Sequence, residues 1–102
     1  MATIKRVENQ IANVERFAVV FTQFGRDIRG DRKGITGYAG RYEKGAPDGM
    51  TVESWKERRF RPHYPGFEAE VLLADGTPAR GNTRLRSVRR SYEDKRYMRR
   101  RL

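Results

Sequence analysis

The stretch FEAEVLL at residues 67–73 decides the fold class, because Phe67, Ala69, Val71 and Leu73 alternate with Glu68 and Glu70. A period of two sends successive side chains to opposite faces of a strand, so the segment predicts a sheet with one face on a core and one in water. Asp75-Gly76 follows as a hairpin-type turn signal. Pro78 lacks the N–H that a central strand must donate, which makes the next segment an edge or a connection.

Upstream, FAVVFTQF at residues 17–24 is a second run of strand-forming residues, in which Phe17, Val19 and Phe21 alternate with Ala18, Val20 and Thr22. Before it, Ile4, Val7, Ile11 and Val14 recur at helical spacing behind Thr3, a good N-cap, and predict an amphipathic helix over residues 3–15. Residues 25–34 hold three glycines and alternating charges, which predicts a mobile loop. Residues 35–44 resume a strand-like pattern around Tyr38 and Tyr42, weakened by Gly37 and Gly40. Ala46-Pro47-Asp48-Gly49 is a turn signal. Thr51 then caps a short helix through residue 60, ended by Pro62 and Pro65.

From Asn82 or Thr83, the spacing of Leu85, Val88 and Tyr92 predicts a helix that is apolar on one side and covered with arginine on the other. The expected fold is α+β: a small, mostly antiparallel β-sheet with an N-terminal amphipathic helix, a short central helix and a basic C-terminal helix. Residues 1–94 form a single domain in this reading, and residues 95–102 a basic tail that frays.

Charge is unevenly placed. Residues 1–79 carry 13 Lys/Arg against 11 Asp/Glu, whereas residues 80–102 carry 10 against 2, so +8 of the net +10 lies in the last segment. Arg80, Arg84, Arg86, Arg89, Arg90, Lys95, Arg96, Arg99, Arg100 and Arg101 make up that set. Arginine binds phosphate with a planar fork, and a concentrated positive field draws polyanions through counterion release. A solvated helix face with a basic tail is the bland alternative.

Two further segments offer cations. In WKERRFRPHY at residues 55–64, Trp55 and Phe60 are read as core, while Lys56, Arg58, Arg59 and Arg61 are candidates for an outward contact. In the glycine loop, Arg29, Arg32 and Lys33 are candidates to wrap a phosphate. It is no Walker A loop, since Asp31-Arg32 stands where Lys-Ser/Thr is required after Gly30.

Chemistry has few parts to work with. The chain has no cysteine and one histidine, His63, and no His/Asp/Glu set at metal-ligand spacing. No metal, cofactor or catalytic residue is assigned, and His63 between Pro62 and Pro65 is read as structural. With no signal-peptide stretch and no apolar span, a cytoplasmic protein without a membrane partner is expected. The reading is a small nucleic-acid-binding accessory protein that contacts the phosphate backbone of DNA or RNA with low sequence specificity. One rival is a protein-interaction module, such as a phage- or plasmid-borne inhibitor of a larger nucleic-acid-processing complex. A metal-independent ribonuclease toxin, using His63 and Tyr64, is another.

Overall fold

The computed structural model describes residues 2–28, 30–38, 42 and 44–93. Its fold is α+β, with three helices and a three-stranded antiparallel sheet. Helix α1 (Ile4–Glu15) starts where the Thr3 hydroxyl accepts a hydrogen bond from the Arg6 amide at 3.2 Å. Ile4, Val7 and Ile11 are fully buried, as the apolar stripe requires. The helix ends at Arg16, whose left-handed backbone turns the chain into β1 (Ala18–Gln23).

The sheet order is β2-β1-β3, where β2 is Arg26–Asp27 and β3 is Glu68–Leu72. Val19 pairs with Val71 and Phe21 with Ala69, so all four side chains point to one face and are buried. Glu68 and Glu70 lie exposed, as the alternation predicted. Beneath the inner face runs α2 (Val52–Trp55), capped by Thr51 and continued by a π-helical turn, Lys56–Phe60. Trp55 meets the edge of Phe17 at 5.3 Å between centroids, and Phe60 meets Phe21 at 4.9 Å. These edge-to-face contacts, together with Tyr64 at 5.1 Å from Phe21, form the aromatic centre of the core.

Helix α3 (Leu85–Glu93) buries Leu85 and Val88. It is tied to the sheet by Tyr92, whose hydroxyl accepts from the Ala18 amide at 3.0 Å and donates to the Leu72 carbonyl. Because Ala18 and Leu72 pair at the end of the β1–β3 ladder, this single side chain closes that end.

Two expectations are corrected. The sequence predicts a mobile loop over residues 25–34, but its described residues are tied to the fold: Arg26 and Asp27 pair with Gln23 and Thr22, and the Ile28 amide donates to Phe21. The carbonyls of Gly30 and Arg32 accept from the Lys5 and Ile4 amides, which have no partner inside α1. Capping a helix thus gives this charged segment a fixed course. Residues 35–44, in turn, form no strand among those described, apart from a single bridge between Ile35 and Ala2. Tyr38 instead packs on α1, where its amide donates to Gln10 at 2.8 Å and its hydroxyl to Glu15 at 2.6 Å. A buried phenol needs such an acceptor, and Glu15 supplies it. Residues 95–102, read as a basic tail, lie outside the described residues.

Candidate nucleic-acid interface

The geometry of the basic face is set from inside the protein, by Glu15. This carboxylate is completely buried at the end of α1. One oxygen accepts from the Ala46 amide at 2.8 Å and Arg89 Nη2 at 3.1 Å; the other accepts from the Tyr38 hydroxyl at 2.6 Å and Arg59 Nη1 at 2.9 Å. A buried charge is tolerable only when paired and fully hydrogen-bonded, and here all four contacts are short. The same environment raises the Tyr38 pKa, first through burial and then through its bond to Glu15.

Arg89 also bonds the backbone around Glu15. Its Nε donates to the Glu15 carbonyl at 2.7 Å, and Nη1 to the Ala46 carbonyl at 2.7 Å and to Asp48 at 2.6 Å. All three nitrogens are therefore engaged, and the side chain is 6% exposed. The hydrogen bond from Arg89 holds the Asp48 carboxyl below the usual carboxylate range. The chain passes so close here that a Cβ on Gly45 would sit 2.9 Å from both Arg89 Nη2 and the Val14 carbonyl, which is why that position carries glycine.

Three candidate cations are therefore already paired within the molecule. Arg89 leaves the binding set because it bonds α1 to α3 and to the turn at residue 48. Arg59 also leaves it: besides Glu15 it donates to the Lys44 carbonyl at 2.9 Å and stacks 4.2 Å above the Tyr42 ring. Burial alone would lower the Arg59 pKa, but Glu15 reverses that and raises it. Arg61 sits between Glu68 at 3.0 Å and Glu53 at 2.6 Å, and these two carboxylates raise its pKa. Of the arginines in residues 55–61, only Arg58 stands in solvent, beside a partly exposed Lys56. Trp55 and Phe60 are core residues, as expected.

Arg80, Arg84, Arg86 and Arg90 remain exposed. Arg84 is steadied by a 2.6 Å bond to the Gly49 carbonyl. Arg86 and Arg90, four residues apart, share one stripe of α3, and the Arg86 amide bonds to the Asp48 carbonyl at 3.0 Å. Arg89 of this helix bonds the Glu15 carbonyl at 2.7 Å, which sets the exposed Arg16 beside it. Arg16 was not legible as a site residue, since only the left-handed end of α1 carries it there.

Arg32 donates to Gln23 at 3.2 Å and lies 5.1 Å above the Phe67 ring, while Lys33 is exposed. Arg29, Lys95, Arg96, Arg99, Arg100 and Arg101 lie outside the described residues. His63 Nε2 is 2.8 Å from the Tyr42 hydroxyl, and its ring meets Tyr42 and Tyr64 edge-on. Among the described residues no group of three His, Cys, Asp or Glu is placed to hold a metal, and no helix is long and apolar enough to cross a membrane. Comparison with known protein families, curated proteins and solved structures finds no match.

Proposed function

We propose that the protein binds nucleic acid through the outward face of α3, with Arg86 and Arg90 on the helix and Arg84 just ahead of it contacting backbone phosphates and Arg16 and Arg80 extending the contact. The supporting observation is the division of the arginines. Arg59 and Arg89 are matched by the buried Glu15 and Arg61 by the surface carboxylates Glu53 and Glu68, whereas Arg86 and Arg90 stand exposed on a helix whose other side is fixed by Arg89 and Tyr92. Guanidinium groups on a rigid helix meet phosphates with little ordering cost, and contacts of this kind position a protein without reading sequence. The +8 carried by residues 80–102 adds the long-range attraction. In this reading the protein is a small cytoplasmic accessory that contacts the phosphate backbone with low sequence specificity.

The test is binding to a labelled duplex across a salt series. If about five phosphates are neutralised, log K falls against log salt with a slope near −4.5. Binding that ignores salt, or no binding at low salt, contradicts the reading.

A further inference from the structure

Among the described residues Phe24 is the one large hydrophobic side chain left in solvent, at 95% exposure. It occupies the tip of the β1–β2 hairpin, where Gln23 pairs with Arg26 and only Phe24 and Gly25 form the turn. Both have positive φ, +54° and +76°, as a type I′ turn requires. Glycine, asparagine and aspartate accept that conformation readily, whereas a bulky ring does so at a cost in stability. Phe24 is thus unfavourable twice over, in its exposure and in its backbone. Strain kept at an exposed tip is a mark of function rather than of folding.

The base of the tip is firmly held. The Gln23 side chain accepts from Arg32 at 3.2 Å and donates to the Gly66 carbonyl at 3.4 Å, so the ring is presented on a braced hairpin. Its surroundings decide what kind of partner fits. Gly25, Arg26, Asp27, Arg32 and Lys33 are all exposed, and none adds apolar area beside the ring. A protein pocket is normally gripped by several exposed apolar residues around an anchor, whereas Phe24 is the one large hydrophobic exposed among the described residues and the nearby Phe67 is partly buried under Arg32. A nucleobase needs only one flat aromatic face, with cations nearby for the adjoining phosphates, and Arg26, Arg32 and Lys33 supply those.

We infer that Phe24 is a stacking site for an unpaired nucleobase, so that the hairpin tip selects single-stranded over fully paired nucleic acid. This rests on the nucleic-acid reading above and adds a second contact to it, separated from the α3 arginines. β1 (Ala18–Gln23) lies between, since Tyr92 of α3 binds at Ala18 and the tip follows Gln23. A rise of about 3.3 Å per strand residue puts the tip roughly 20 Å from that Tyr92 anchor.

Phe24→Asn provides the test, because Asn-Gly is the preferred pair for this turn and the variant should melt at the same temperature as the parent or higher. Affinity would be measured on a single-stranded oligonucleotide carrying 2-aminopurine, and on a fully paired duplex as control. Loss of one stacked base predicts a roughly 5- to 150-fold weaker single-strand affinity. The 2-aminopurine quenching should disappear with it, duplex affinity should stay unchanged, and Phe24→Tyr should retain both signals. If Phe24→Asn keeps its single-strand affinity and quenching while the parent binds both probes, the stacking site is wrong and the α3 reading survives. Should the parent bind neither probe, the nucleic-acid reading fails and takes this site with it. Loss of pelleting with phosphatidylserine vesicles, with oligonucleotide affinity intact, would assign the ring to a membrane surface and overturn the inference.

Discussion

Arg89 and Arg90 are neighbours in the chain and opposites in the structure: one is buried against Glu15 and Asp48, and the other stands in solvent. The difference follows from helical phase. Leu85 and Val88 face the core, and position 89, four residues after Leu85, falls on the same stripe, while position 90 falls a further 100° or so around the helix. Arginine count is therefore a poor measure of exposed positive charge in this chain. What matters is which cations have a carboxylate inside the fold.

Removing the shared carboxylate should give the largest effect. Glu15→Ala leaves Arg89 without its buried acceptor and Arg59 without its ion pair, and is expected to cost at least about 3–5 kcal/mol. Urea unfolding would show either that loss or outright failure to fold; a variant as stable as the parent would mean that the buried network contributes nothing.

The Arg89–Arg90 pair sharpens the comparison next. Arg89→Ala is expected to lose about 3 kcal/mol, the lower end for a broken buried pair, because Arg59 still neutralises Glu15. Arg90→Ala, on the exposed side, should stay within about 0.5 kcal/mol of the parent. Equal midpoints in parallel denaturant titrations would erase the distinction between the two sides of α3.

Much of the inward side was legible, and the part that was not has a physical reason. The strand alternation at residues 67–73 and the stripes Ile4–Val7–Ile11–Val14 and Leu85–Val88–Tyr92 all turn to the core, with Val14, Phe67, Leu73 and Tyr92 only partly buried. Glu15 stands four residues after Ile11, and Arg89 four after Leu85, so each extends an apolar stripe with a charge. Two opposite charges on buried stripes signal a partnered interior pair, and that signal was present in the periodicity. The partnership itself was not legible, because Glu15 and Arg89 are 74 residues apart and meet only through the tertiary fold. Glycine-rich residues 25–34 misled for a related reason: they make their contacts with the N-terminus of α1, which no local pattern reveals.

A smaller effect should appear in acid. Arg89 holds the Asp48 pKa below its unfolded value of about 3.9. The stability from that pairing is therefore present above about pH 4 and is lost as the pH falls through the lower, folded value. Asp48→Asn lacks it at every pH, so the parent's advantage in melting temperature should shrink steadily below about pH 4. An advantage that persisted undiminished to the lowest pH would show that ionisation of Asp48 is not its source. The carboxylate is largely exposed, so the difference should be modest.

The central claim is that the outward arginines of α3 meet phosphates while the inward ones hold the fold. The most direct measurement is the salt dependence of duplex binding for Arg86→Ala/Arg90→Ala beside the parent protein. Loss of two phosphate contacts should flatten the slope of log K against log salt by about 1.8 and weaken binding at fixed low salt, with the melting temperature unchanged. An unchanged slope in the folded double variant would contradict the account.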